Sequence, residues 1–293
     1  MKISGFSFVR NAIKYGYPVV ESLQSLFPLC DEVVVAVGDS DDGTLELLHS
    51  LNEPVLRIIP TVWDERHLGG GRILAQQTDV AYHHCTGDWC IYLQADEVFH
   101  EADADLLRHE IATAHKDSRL EALIMRYLHF YGSYDFVGTG RQWYRREIRA
   151  LRRLPTIISW RDAQGFRKTD ADGNAVKLRA RQTDVRVFHY GWVREPKTQQ
   201  RKLNNSNRLY NPDAPEVEEE TSNGFDYDSA YAVELYTQSH PALMQPRIAH
   251  DREWTRHFKA ERLKPKPFLV RLTDDIERLT GWRIGEYRNF IEQ

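Results

Sequence analysis

An apolar run, Trp89-Cys90-Ile91-Tyr92-Leu93, leads through Gln94-Ala95 into two adjacent carboxylates, Asp96-Glu97. Acids delivered at the end of a strand can hold a metal ion or face a phosphate. A second acid-rich turn, Gly38-Asp39-Ser40-Asp41-Asp42-Gly43-Thr44, follows the β-branched run Val33–Val37. Each turn alone has a plainer reading, in which Asp42 or Ser40 caps the next helix and Glu97 is a solvated strand end. Two such turns at neighbouring strand ends favour a ligand site. A third apolar run, Val185–Phe188, ends in His189, which reads equally as a metal ligand or as a packed core histidine. Arg194, Lys197, Arg201 and Lys202 come next and could neutralise a phosphate or coat an exposed helix face.

The elements that position these residues follow from periodicity. Ile3–Phe8, Val33–Val37, Pro54–Ile59 and Trp89–Leu93 read as strands. Helical spacing after Pro18, over Leu45, Leu48 and Leu51, across 71–85, and over Leu107, Ile111 and Ala114 places helices between and after them. The alternation implies βαβ units and a mostly parallel α/β sheet. Across 121–190 strand-like runs such as Ala122–Tyr127 and Val185–Phe188 are joined by polar connections without clear helices. Helices return after Pro196, interrupted by the acidic Glu216–Glu220 and by Lys264-Pro265-Lys266-Pro267, which read as a solvated loop and a hinge.

With 293 residues, 41% of them apolar, the chain can bury a sizeable core. A net charge of -4 gives no sign of a nucleic-acid partner. Three cysteines are too few for a disulfide framework and fit a reducing compartment. The N-terminus lacks the apolar stretch of a signal peptide, and no run is long enough to span a bilayer, so a cytoplasmic protein is expected. Peripheral membrane contact and a homodimer stay open. His109 and His115 are six apart, which rules out H-E-x-x-H, and His83-His84-Cys85 with Cys90 lacks zinc-site spacing. The sequence contains neither a Walker phosphate loop nor a G-x-S-x-G elbow. Gly69-Gly70-Gly71-Arg72 reads as a lid, a phosphate-facing helix start or a plain turn. Arg141–Arg153 reads as a solvated strand pair.

In order, ISGFSFVRN, VVVAVGDSDDGT, CTGDWCIYLQADEV and VFHYGWVREP resemble the GT-A glycosyltransferases of the broad family-2 group over most of the first 200 residues. The resemblance implies a Rossmann-like GT-A nucleotide-sugar-binding and catalytic domain over 1–195, followed by a helical extension over 196–293. It implies donor contacts from Phe8, Arg10 and Asn11, from Asp39, Ser40 and Asp42, from Gln77, from Gln94, Ala95 and Asp96, and from Lys202. Asp96 matches the last acid of the family's D-x-D, which holds a divalent ion against the donor diphosphate; Gln94 stands where the first acid belongs. Val37 replaces another family Asp, leaving Asp39 for base or ribose contacts, and Thr78-Asp79 replaces an Arg-Asn pair. Mg²⁺ or Mn²⁺ held by Asp96, His189, phosphate oxygens and water would offset the leaving charge. An inverting transfer also needs a base for the acceptor hydroxyl. Asp162 in Ser159–Gly165 is the first candidate, ahead of Glu147, which neighbouring arginines could simply pair with, and Asp135. The expected function is metal-dependent sugar transfer from a UDP- or GDP-linked donor to a hydroxyl acceptor. The alternative is a donor-binding scaffold that has lost turnover with the missing acid at Gln94.

Overall fold

The computed structural model describes residues 1–213, 224–229, 232–264, 268–280, 283 and 285–293. Glu216–Glu220, Pro265-Lys266-Pro267 and Trp282 lie outside the described residues. The first 116 residues alternate as expected: β1 (Ile3–Val9), α1 (Val19–Leu26), β2 (Glu32–Gly38), α2 (Thr44–Ser50), β3 (Leu56–Thr61), α3 (Arg72–His84), β4 (Trp89–Tyr92), the short β5 (Glu97–Phe99) and α4 (Ala104–Lys116). The middle of the chain is made of strands: β6 (Ala122–Tyr131), β7 (Phe136–Gly138), β8 (Arg146–Arg152), β9 (Ile157–Trp160), β10 (Gly165–Thr169) and β11 (Ala175–Trp192). The C-terminal residues contribute α5 (Pro196–Tyr210), β12 (Val233–Leu235), α6 (Gln245–Thr255), α7 (Phe268–Thr280) and β13 (Phe290–Glu292).

The architecture is mixed α/β, with the strand order β3-β2-β1-β4-β8-β6-β11-β10-β9. The mostly parallel sheet expected from the sequence holds only for β1 to β4. Across the described residues five strand pairs are parallel and seven antiparallel. Parallel neighbours need a crossover connection, usually a helix. No helix joins β6 to β8, so the chain returns reversed, and β8 pairs antiparallel with both β4 and β6. Because β6 pairs parallel with β11, β11 runs in the direction of β1 and β4 and ends at the same edge of the sheet.

Both faces of the central strands are buried. Val33, Val35 and Val37 of β2 pack with α1 and α4 residues such as Leu23 and Ile111, while Val34 and Ala36 face Ala81 and Tyr82 of α3. This is why the run is continuous rather than alternating. The C-terminal stretch also supplies strands, since β13 pairs with β11 and β12 with β7. Among the described residues no helix is long and apolar enough to cross a membrane.

Candidate functional site

The ends of β1, β4 and β11 surround a cavity of about 270 Å³, closed on the far side by α5. Phe8 lines it from β1, Arg10 and Asn11 from the turn after β1, Gln94, Ala95 and Asp96 from the turn after β4, His189 from β11 and Lys202 from α5. Asp162, at the tip of the β9–β10 hairpin, lines it too. These nine residues, scattered over almost 200 positions, are brought together because ligand crevices form outside the carboxyl ends of strands that run together.

Asp96 lies at the floor, 5% exposed. Its carbonyl accepts from Tyr190 N at 2.8 Å, which ties the turn to β11. Its Oδ2 accepts from Arg194 at 3.2 Å and from Lys202 Nζ at 3.3 Å, and its Oδ1 stands 3.7 Å from His189 Nε2. Burial works to raise the Asp96 pKa, but Lys202, His189 and Arg194 outweigh it and hold the carboxyl well below the usual range. Burial pushes His189 down to about 4, so the imidazole is neutral at pH 7. The Lys202 ammonium is lowered to about 8 by burial and then by Arg194. The backbone carbonyl of Gly191 accepts from both Arg194 and Lys202. Position 191 has no room for a side chain: a Cβ there would stand 2.4 Å from His189 Nε2 and 2.9 Å from Asp96 Oδ2.

Gln94 has a structural task that an acid could not perform. Its amide Nε2 donates to the Ala163 carbonyl at 3.3 Å, and Arg149 donates to the next carbonyl, Gln164 O, at 2.8 Å. Together they hold the Asp162 loop against the cavity. Arg161 and Ala163, on either side of Asp162, have φ of 59° and 64°, a left-handed conformation that costs a non-glycine residue about 1 kcal/mol or more. Tyr210 at the end of α5 donates to Asp162 Oδ2 at 2.7 Å. Arg149 in turn forms a two-pronged pair with Glu97 at 2.9 Å on each arm, both side chains fully buried, and lies between the rings of Tyr92 and Tyr127. The reading of Glu97 as a solvated strand end is therefore overturned, as is the solvated reading of Arg141–Arg153 at Arg149. A carboxylate without a cation cannot be buried this deeply, and the pair rigidifies the turn after β4.

Other expected contacts lie away from the cavity. Ser40 and Asp42 stitch β1 to β2: Ser40 Oγ accepts from Asn11 N at 3.0 Å, and Asp42 accepts from Lys14 N at 2.7 Å and Thr44 N at 3.0 Å. Neither residue is the cap of α2, since Gly43 holds the N-cap position without a side-chain bond; Asp42 reaches the Thr44 amide from the residue before it. Asp39 pairs with Arg10 at 3.2 Å and accepts from Trp63 N, so it orders two lining residues without lining the cavity itself. Gln77 is buried and accepts from Thr61 at 2.6 Å, tying α3 to β3. Glu147 is buried behind the Asp162 loop, in a smaller crevice with Gln164, Gly165 and Asn289. Among the described residues it has no arginine ion pair; Arg145 and Arg146 turn to Glu277, Glu286 and Glu292. Burial raises its carboxyl to about 7. Asp135 is exposed in the turn between β6 and β7, outside the cavity lining. The glycine triplet is a clamp: the amides of Gly69, Gly70 and Gly71 donate to the carbonyls of Leu209 and Tyr210, capping α5.

The residues do not fit the divalent ion expected from the sequence. Among the described residues no group of three or more His, Cys, Asp or Glu side chains could hold a metal. Asp96 is the one carboxylate on the floor, and it already carries two cations. A divalent ion bonded to it would be repelled by both, and a dication about 4 Å from one unit charge costs about 8 kcal/mol at an effective dielectric of about 20. His189 Nδ1 lies 2.9 Å from His129 Nδ1, which leaves Nε2 as the ring nitrogen that faces Asp96.

Sequence reasoning passed over Arg149, Gly191, Tyr17 and Trp63. Tyr17 lies under both cations, 4.7 Å from the Arg194 guanidinium and 5.6 Å from Lys202 Nζ. Trp63 stands beside Phe8 and under Arg10, forming an aromatic wall. The one available signal was Gly191 in Phe188-His189-Tyr190-Gly191-Trp192, a glycine inside an aromatic strand, where close approach is the usual cause.

No protein-family model and no curated protein matches the chain. Among solved structures it is similar to the S. aureus protein TarS. The crystal structure of TarS 1-349 is 21% identical over 44% of this chain and 36% of that one, with a TM-score of 0.34. The TarS 1-349 complex with UDP-GlcNAc gives 21% identity over 44% and 35%, again at 0.34. The crystal structure of S. aureus TarS is 16% identical over 75% of this chain and 41% of that one, with a TM-score of 0.41. The chain thus spans well under half the length of the TarS chains it matches.

Proposed function

We propose that the protein is a glycosyltransferase of the GT-A type, family-2-like, that moves a sugar from a UDP- or GDP-linked donor to a hydroxyl acceptor. One observation carries the reading: a single cavity at the strand ends holds a cation on its floor and a loop-borne carboxylate, Asp162, in its wall. In this reading Phe8 and Trp63 flank the base, and the diphosphate lies toward Asp96 and Lys202. The acceptor hydroxyl attacks the anomeric carbon as the bond to the diphosphate oxygen breaks, and Asp162 takes the hydroxyl proton. A single displacement of this kind inverts the anomeric centre. Asp162 is preferred over Glu147 and Asp135 because it alone of the three lines the cavity.

Calorimetric titration with a panel of UDP-, GDP- and other nucleotide sugars tests the donor assignment, and no binding by any of them would refute it. A donor-binding protein without turnover is the second reading, favoured by the Tyr210 hydroxyl already seated on the Asp162 carboxylate. Donor hydrolysis or transfer that disappears in Asp96→Ala and Asp162→Asn would exclude it.

A further inference from the structure

We infer that the Lys202 ammonium, seated on Asp96 and backed by Arg194, meets the donor diphosphate in the place of a divalent cation. The inference rests on the donor reading above and concerns the same cavity.

Three features carry it. The floor combines one carboxylate with two cations, so Asp96, Arg194 and Lys202 together present one net positive charge to the cavity. Arg194 is 3% exposed and does not line the cavity, so it serves as a positioning residue that offsets Asp96 and leaves the Lys202 charge uncancelled. Lys202 does line it, and an ammonium has three donors. Two are committed, to Asp96 Oδ2 at 3.3 Å and Gly191 O at 3.1 Å, which leaves the third for a phosphate oxygen.

The ammonium is also held in place. Its helix is started by Pro196 and gripped at its far end by the Gly69–Gly71 amides and by the Tyr210–Asp162 bond. A preorganised charge stabilises a leaving group without reorganising as the bond breaks. When the bond from the anomeric carbon to oxygen cleaves, its electron pair goes to the diphosphate oxygen. The added negative charge strengthens the ammonium hydrogen bond, and no proton has to move.

The test is calorimetric titration of the full chain with UDP and GDP, and with UMP and GMP as monophosphate controls, in EDTA and in Mn²⁺. The expected result is that a diphosphate binds in EDTA with a Kd that Mn²⁺ changes by less than about threefold. Lys202→Met is expected to weaken diphosphate binding about tenfold or more while leaving monophosphate binding nearly unchanged, and Lys202→Arg to recover most of the loss. A purely structural lysine would weaken both nucleotide classes alike, and that pattern overturns the inference. Diphosphate binding that appears only with Mn²⁺ overturns it too, while leaving the donor reading intact. Failure of every nucleotide under both conditions overturns the donor reading and the inference with it.

Discussion

Glu147 offers a stability test that needs no substrate. Its carboxyl is 3% exposed, and burial lifts it from the ordinary 4.5 to about 7 against the opposing Ile148 amide and Arg149. A pKa raised on folding means that the folded state holds the proton more tightly than the unfolded chain. The contribution of Glu147 to stability is therefore most favourable below about 4.5, falls as pH rises, and carries the full penalty above about 7. At about 1.4 kcal/mol per tenfold change in acid constant, that penalty is about 3 kcal/mol. Glu147→Gln keeps an oxygen to accept from Ile148 N and removes the charge. Urea unfolding of both proteins from about pH 5 to about pH 8 should show the variant gaining about 2.5 kcal/mol on the wild type as pH rises, the remainder of the penalty being already present at about pH 5. Asp79, raised to about 6 by burial, titrates in both proteins and cancels from the difference. A stability difference that does not change with pH would refute the reasoning.

Other outcomes follow from the same geometry. Arg149→Met leaves Glu97 buried without its cation and should cost about 3–5 kcal/mol by denaturant unfolding; a loss under about 1 kcal/mol would mean that water reaches the carboxylate. Gln94→Asp restores the second acid of a metal motif, yet Lys202 and Arg194 should still keep Mn²⁺ from binding, so a saturable Mn²⁺ isotherm would contradict the electrostatics of the floor. The same substitution removes the donor to Ala163 O, which should raise proteolytic nicking at 161–164 relative to wild type. Gly191→Ala forces a methyl against His189 and Asp96 and should cost about 1–3 kcal/mol; unchanged thermal unfolding and nucleotide binding would show that β11 can yield there.

Local signals in the sequence determined much of this protein. The β-branched run Val33–Val37, the period-3.6 stretches and the two acid-rich turns define the first four strands and their helices, because burial on both faces and capping leave marks within a few residues. The resemblance to the GT-A family, added to those turns, named nine of the residues that line the cavity. Tertiary structure decided what local signals do not encode. The reversal at β8 depends on how the chain returns after β6, so it left no mark in hydrophobic period. Ser40, Asp42 and Gln77 have the right residue types for donor contacts, but their polar atoms are taken up between β1 and β2 or between α3 and β3. Gln94 looked like a missing acid until Ala163, 69 positions away, gave its amide a partner. Asp96 shows the difference most sharply: the chain shows an acid at a strand end, and only folding places Arg194 and Lys202 on it. Charge acts through space, and that proximity turns a motif that reads as a metal ligand into the seat of a cation the protein carries itself.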